Sequence, residues 1–133
     1  MVHQGRLAFN RGDVDAMLEH YDPDAEIFPI TAGGVEGRGF RGHDEIRGYR
    51  NALDEVFDKV EIHYDAARDF GHCVVALGHW TIKGRMSGVE TTARGGWVVR
   101  FRDAKIVQLH SYTDQAGALA AAGVEDWRET PQP

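Results

Sequence analysis

The chain has 133 residues, 42% of them hydrophobic and 27% charged, with a net charge of −6 and a sequence pI of about 5.6. That is long enough for one domain with its own core, and the acidic balance argues against nucleic acid or an anionic membrane, which are held through clustered Lys and Arg. No apolar run approaches the ~20 residues that span a bilayer, and the N-terminus lacks the apolar segment of a signal peptide.

In chain order, Val2 to Asn10 reads as a short helix, with Leu7 and Phe9 as its apolar side chains and Arg11–Gly12 as its end. Asp13 suits the N-cap of a second helix through Tyr21, on which Val14, Met17, Leu18 and Tyr21 form one stripe. Asp22–Pro23–Asp24 closes it, and residues 25–29 read as a first strand that includes Phe28. Gly33, Gly34, Gly37 and Gly39 make a flexible connection to a short strand at Phe40–Arg41. The longest helix follows. Asp44 and Glu45 suit its first turn, and Ile46, Tyr49, Leu53, Val56 and Phe57 recur at helical spacing.

Four strands come next, over residues 59–70, 73–82, 89–102 and 105–113, separated by Gly71–His72, by a loop at 84–88 and by a tight turn. The single cysteine, Cys73, leaves no internal disulfide and fits a reducing cytoplasm. A last helix from Gln115 to Ala121 stops at Gly123, and residues 124–133 read as a tail of a single domain spanning residues 1–133.

The last two strands are the most informative stretch. Trp97, Val99 and Phe101 alternate with Val98, Arg100 and Arg102, and Leu109 alternates with Gln108 and His110. This is the pattern of a half-buried antiparallel pair. A two-residue loop at Asp103–Ala104 would set Val99 against Gln108, so a three-residue loop with a bulge is expected, pairing Phe101 with Val107, Val99 with Leu109 and Trp97 with Ser111. Helices first and a mainly antiparallel sheet after them make an α+β fold.

The stretches Phe9 to Tyr21, Arg41–Gly–His–Asp–Glu–Ile46 and Trp97 to Gly123 together resemble SnoaL-like members of the nuclear transport factor 2-like superfamily. The resemblance implies a cone: a curved, mainly antiparallel sheet of about six strands wrapped around the long helix, with short N-terminal helices and a C-terminal helix. It also brings three known catalytic arrangements to compare. The acid/base Asp and paired His of polyketide cyclases align with Ser111 and Trp97. The base of ketosteroid isomerases aligns at or beside Pro29, and their oxyanion donors near Gly5 and at Trp97. The epoxide-hydrolase set aligns with Ser111 and near Gly78 and Trp80. None of those positions holds the required group, and a one-residue offset would bring in His79 or Thr81.

By strand parity, Trp80, Trp97 and Ser111 point into the cone, joined by Tyr21, Phe28, Tyr49 and Leu53, which makes these seven the candidate pocket. The plain alternative is that the aromatics simply fill the core and Ser111 is a small filler. His110, Tyr112, His79 and Arg100 are expected on the outer face, a surface suited to a homodimer. The seven histidines show no metal-ligand spacing, and the glycines around position 35 form no phosphate loop. The expected protein is a cytoplasmic, cofactor-free binder of a small apolar or aromatic metabolite, without metal, nucleic-acid or membrane partners. An isomerase, cyclase or hydratase with an unusual acid/base (Tyr21, Tyr49, Ser111 or His79), or a dimeric interaction module, are the alternatives.

Overall fold

The computed structural model of the chain describes residues 2–29 and 39–123; the expected glycine connection between Gly33 and Gly37 and the expected tail at 124–133 lie outside these residues. In order, the elements are α1 (Val2–Arg11), α2 (Val14–Leu18), β1 (Tyr21–Phe28), β2 (Phe40–Arg41), α3 (Gly42–Val56), β3 (Phe57–Asp69), β4 (Val74–Gly84), β5 (Glu90–Arg102), β6 (Lys105–Tyr112) and α4 (Gln115–Ala122). The strands form one sheet in the order β2-β1-β6-β5-β4-β3. Every pairing is antiparallel except β1 with β6. Helix α3 touches β1 and β2 at one end of this order and β3 at the other, so the sheet must curl around it. This is the α+β cone expected from the sequence.

Helix α3 is held by its buried face, where Ile46 and Leu53 enter the core. Arg50 shares that face at 3% exposure. Its Nε and Nη2 donate to the Phe9 carbonyl at 3.1 and 2.8 Å, and its Nη1 meets Asp54 at 2.7 Å. These bonds satisfy a charge that would otherwise be costly to bury, and they tie α3 to α1. The expected stripe is therefore corrected at its end. Val56 is exposed, and Phe57 opens β3 opposite Gly84.

Helix α1 covers the free edge of the sheet. Asn10 pairs reciprocally with Ile62 on β3: its Nδ2 donates to the Ile62 carbonyl at 2.9 Å and its Oδ1 accepts from the Ile62 amide at 2.8 Å. Arg6 donates to the same carbonyl at 2.9 Å. An edge strand needs such cover to avoid pairing with another chain.

Helix α2 begins where Asp13 accepts from the Ala16 amide, as expected of an N-cap, but it ends at Leu18 rather than at Tyr21. Tyr21 instead opens β1, paired with Ile106. The register shifts between Tyr21 and Glu26, so Pro23 falls where no ladder donor is required. That irregularity is why Asp22–Pro23–Asp24 looks like a turn in the sequence.

Turn β5–β6 also differs from expectation. Asp103 and Ala104 both have positive φ, 53° and 65°, and form a two-residue loop of the kind that matches strand twist. Phe101 pairs with Ile106, and the bulge comes next, leaving Val107 as the extra residue. Beyond it, Val99 faces Leu109 and Trp97 faces Ser111, as the hydrophobic pattern requires.

Two glycines mark close approaches. A Cβ on Gly78 would lie 1.9 Å from the His63 carbonyl oxygen, beside the bulge between Tyr64 and Ala66. A Cβ on Gly96 would lie 2.6 Å from the Ala118 Cβ, where α4 packs onto the outer face of β4 and β5. Under α4, Cys73, Val75, Val98, Ala118 and Ala122 make a second core.

Candidate functional site

Inside the cone lie two adjoining cavity lobes of about 70 and 60 Å³. Phe9, Pro29, Tyr49, Ile62 and Ser111 line both, so they form the wall between the two spaces. The first lobe is completed on its polar side by Arg6, Tyr21, Arg50 and Tyr64. Leu53, Phe57, Trp80, Ile82 and Trp97 complete the second, which is more carbon-lined. Neither lining contains a carboxylate or an imidazole among the described residues.

The lining follows from strand parity. Ser111 and Trp97 are direct cross-strand partners on the inner face, and the pairing of Trp80 with Ile62 puts an indole and an aliphatic side chain on that same face. Tyr64, two residues beyond Ile62, brings its ring to 5.3 Å from that of Trp97. The Arg6 guanidinium lies 5.0 Å from the centre of the Tyr64 ring, a cation–π arrangement that holds α1 over the first lobe. Phe40 and Tyr49 pack at 4.9 Å between centroids, which fixes the Tyr49 ring on α3.

Burial dominates the electrostatics of the first lobe. Desolvation, and then the neighbouring Tyr49, push Tyr21 well above the ordinary tyrosine value of 10.0. Tyr64 is raised likewise, first by burial and then by Tyr21, with Arg6 opposing. Both phenols therefore stay protonated at neutral pH and present O–H groups that donate or accept. Trp80 adds a donor-only group: its indole Nε1 is buried and has no hydrogen-bond acceptor among the described residues.

Six of the seven candidate pocket residues line these lobes: Tyr21 the first, Leu53, Trp80 and Trp97 the second, and Tyr49 and Ser111 both. Phe28 does not. Strand alternation turns Ile27 inward and Phe28 to the opposite face, where it stacks on His110 at 4.8 Å. His79 is likewise turned away from the lobes: its ring stacks on His63 at 5.1 Å and its Nδ1 lies 3.4 Å from Asp65. It is therefore corrected as a candidate acid/base for the cavity. Tyr64, Arg6 and Arg50 were missed by the sequence reading. For Tyr64 a signal existed, since Ile62 and Tyr64 alternate with Glu61 and His63, but the bulge after it hides the parity.

A sequence profile of the SnoaL-like domain matches residues 3–109. The chain belongs to the SnoaL-like domain family. This SnoaL-like chain is also similar to solved structures across nearly its whole length. A hypothetical protein with a ketosteroid isomerase-like fold from Catenulispora acidiphila, in complex with trimethylamine, is 17% identical with a TM-score of 0.76, covering 98% of this chain and 96% of that one. TerC, co-crystallised with polyporic acid, is 20% identical with a TM-score of 0.74, covering 87% and 90%. A nuclear transport factor 2-like protein from Burkholderia thailandensis is 27% identical with a TM-score of 0.69, covering 92% and 93%. No curated protein matches the sequence.

Of the positions that the family resemblance singled out, Gly78 lines neither lobe and the others do. Gly5, Pro29, Trp80, Trp97 and Ser111 all line one lobe or the other. Among them the Ser111 hydroxyl and the indole N–H groups of Trp80 and Trp97 are the side-chain polar groups.

Proposed function

We propose that the cone interior binds a small apolar or aromatic metabolite. The observation that carries this reading is the pair of adjoining lobes walled by two indoles, three phenols and one serine hydroxyl, where a packed core would have no space. TerC, with polyporic acid, and the Catenulispora protein, with trimethylamine, are similar folds seen with small molecules. Turnover of an isomerase, cyclase or hydratase kind would use the Tyr21 and Tyr64 hydroxyls as hydrogen-bond donors to a substrate oxygen rather than as proton carriers, since burial raises both above the ordinary tyrosine value.

Native mass spectrometry and thermal-shift screening of hydrophobic metabolites test the reading. The expected result is at least one stabilising ligand whose effect is lost in Trp97→Ala. A screen without binders, together with a Trp97→Ala variant altered only in stability, overturns it.

A second copy of the chain is the partner proposed for the outer sheet face. Phe28, His110 and Tyr112 stack there in a ladder, at 4.8 and 4.6 Å between successive rings, and each side chain is only partly covered. Acidic Asp22, Asp24 and Glu26 and basic Arg41, Arg100 and Arg102 border a groove nearby, offering both charges to a symmetric contact. Sedimentation at high micromolar concentration should give a dimer, and a monomer there contradicts it. The buried, single Cys73 suits a reducing compartment such as the cytoplasm. No helix among the described residues is long and apolar enough to cross a membrane.

A further inference from the structure

Helix α3 runs straight into β3, ending at Val56 where the strand begins at Phe57. The last turn of the helix carries no basic residue to meet its final carbonyls. Arg85, on the loop between β4 and β5, meets them from outside. Its amide donates to the Val56 carbonyl at 3.0 Å, and its Nε and Nη2 both donate to the Asp54 carbonyl. Nη2 also lies 3.5 Å from the Phe57 carbonyl, and Nη1 pairs with Asp58 at 2.9 Å. Both side chains of that ion pair are about half exposed, so water competes for the fastening and it opens at low cost. The same corner is the outer wall of the second lobe. Leu53, Phe57, Val60 and Ile82 line that lobe, and Phe57 pairs with Gly84 and Val60 with Ile82 just behind the Arg85 loop. Apolar side chains continue outward with rising exposure. Leu53 is buried, Phe57 and Ile82 are half-buried, and Val56, Val89 and Met86 are exposed, Met86 completely.

From this we infer that the loop at 85–89 is a gate to the second lobe and that Arg85 is its latch. When the guanidinium releases the Asp54 and Phe57 carbonyls, the loop moves off the end of α3, and water or an apolar molecule passes between Leu53, Phe57 and Ile82. The loop is built to move as a unit. Its own hydrogen bonds close on themselves and on the strand ends: Gly88 donates to the Gly84 carbonyl at 2.8 Å, Gly84 to the Val89 carbonyl at 3.1 Å, and the Val89 amide to Ser87 Oγ at 3.2 Å. Among the described residues, the hydrogen bonds from this loop to the α3–β3 corner are those of Arg85. Releasing one side chain therefore frees the loop while the β3–β4 ladder beneath it stays paired, which is local opening rather than unfolding. The inference rests on the proposed binding role of the cone for what passes the gate; the latch itself acts equally on water.

Hydrogen exchange of the full chain into deuterated water, followed by NMR, tests the latch without a metabolite. The Trp80 indole N–H is buried on the wall of the second lobe, so it exchanges when water enters. Arg85→Ala should speed that exchange about tenfold or more, the effect of losing two or three charge-assisted bonds at a partly exposed site. The amides of Val75 and Val98, buried under α4, should keep their rates. Arg85→Lys keeps a charge beside Asp58 but not the two-nitrogen grip on the Asp54 carbonyl, and should fall between parent and Arg85→Ala. Asp58→Asn removes the ion pair alone and should change the rate by less than about threefold. An unchanged Trp80 indole in Arg85→Ala overturns the latch. So does equal acceleration of Trp80, Val75 and Val98, which would make Arg85 a support of the whole fold. Because water is the probe, the result is separate from the metabolite screen: an empty screen counts against the binding role alone, and the exchange rates decide the latch.

Discussion

Strands β4 and β5 present two very different faces. On the outer face, Val75 and Val98 are completely buried under Ala118 and Ala122 of α4, and Gly96 has no room for even a methyl group. On the inner face the same strands carry Trp80 and Trp97, and the large rings leave space beside them. The outer face is closed by small residues that let α4 approach closely. The inner one is bridged by aromatics held apart by α3, by the edge contacts of α1 and by the bulge in β3. Close packing is thus available to this chain, and the inner face departs from it. The contrast sets a hollow inner face against an α4 interface packed for stability.

The largest effect should come where the inner wall depends on a backbone contact. Gly78→Ala would set a methyl 1.9 Å from the His63 carbonyl oxygen, which cannot yield without undoing the β3 bulge. A loss of more than about 3 kcal/mol is expected in urea unfolding. The two faces are compared directly by enlarging one residue on each. Ala118→Leu should cost about 1–3 kcal/mol by overpacking the α4 interface. Ser111→Leu projects into the wall between the two lobes, so its stability should stay within about 1 kcal/mol of the parent while ligand binding is lost. Equal destabilisation by both would erase the distinction. Asn10→Ala removes the reciprocal pair with Ile62 at the sheet edge and should cost about 1–2 kcal/mol. Amide exchange in β3 checks this, since Ile62 should exchange faster without α1 being lost.

The smallest effect is expected in the pH profile. Burial, and then the charge of Arg100, hold His110 below its ordinary value of 6.5. The folded state therefore favours the neutral ring. The stability this contributes is present above pH 6.5 and is lost as pH falls through the lower folded value. Thermal unfolding between pH 8 and pH 5 should show a steeper decline for the parent than for His110→Phe, which keeps an aromatic ring in the ladder between Phe28 and Tyr112.

Much of this was legible in the sequence, and the exceptions have physical causes. Period-2 alternation placed Trp97, Trp80 and Ser111 on the correct side, because a buried face tolerates no slip. Phe28 was misplaced because residues 25–29 form a short segment with apolar side chains on both faces, and only the pairing with His110 shows which way it turns. Turn β5–β6 was misjudged because the pattern demands one extra residue but does not say where. The chain inserts it at Val107 and accepts positive φ at Ala104. Arg50 and Arg6 escaped notice because hydrophobic periodicity is blind to a charged side chain buried with its hydrogen bonds satisfied by distant carbonyls. Ser111, Trp97 and Pro29, singled out in the sequence by the family resemblance, all line the lobes.

The most direct test of a hollow inner face against a closed outer one is a chemical-shift titration of the uniformly labelled protein with acetophenone. Saturable shifts should appear at the Trp80 and Trp97 indole N–H groups and at Ser111, with Val75, Val98 and Ala118 unmoved. Shifts centred under α4, or none at the two indoles at millimolar probe, would contradict the account.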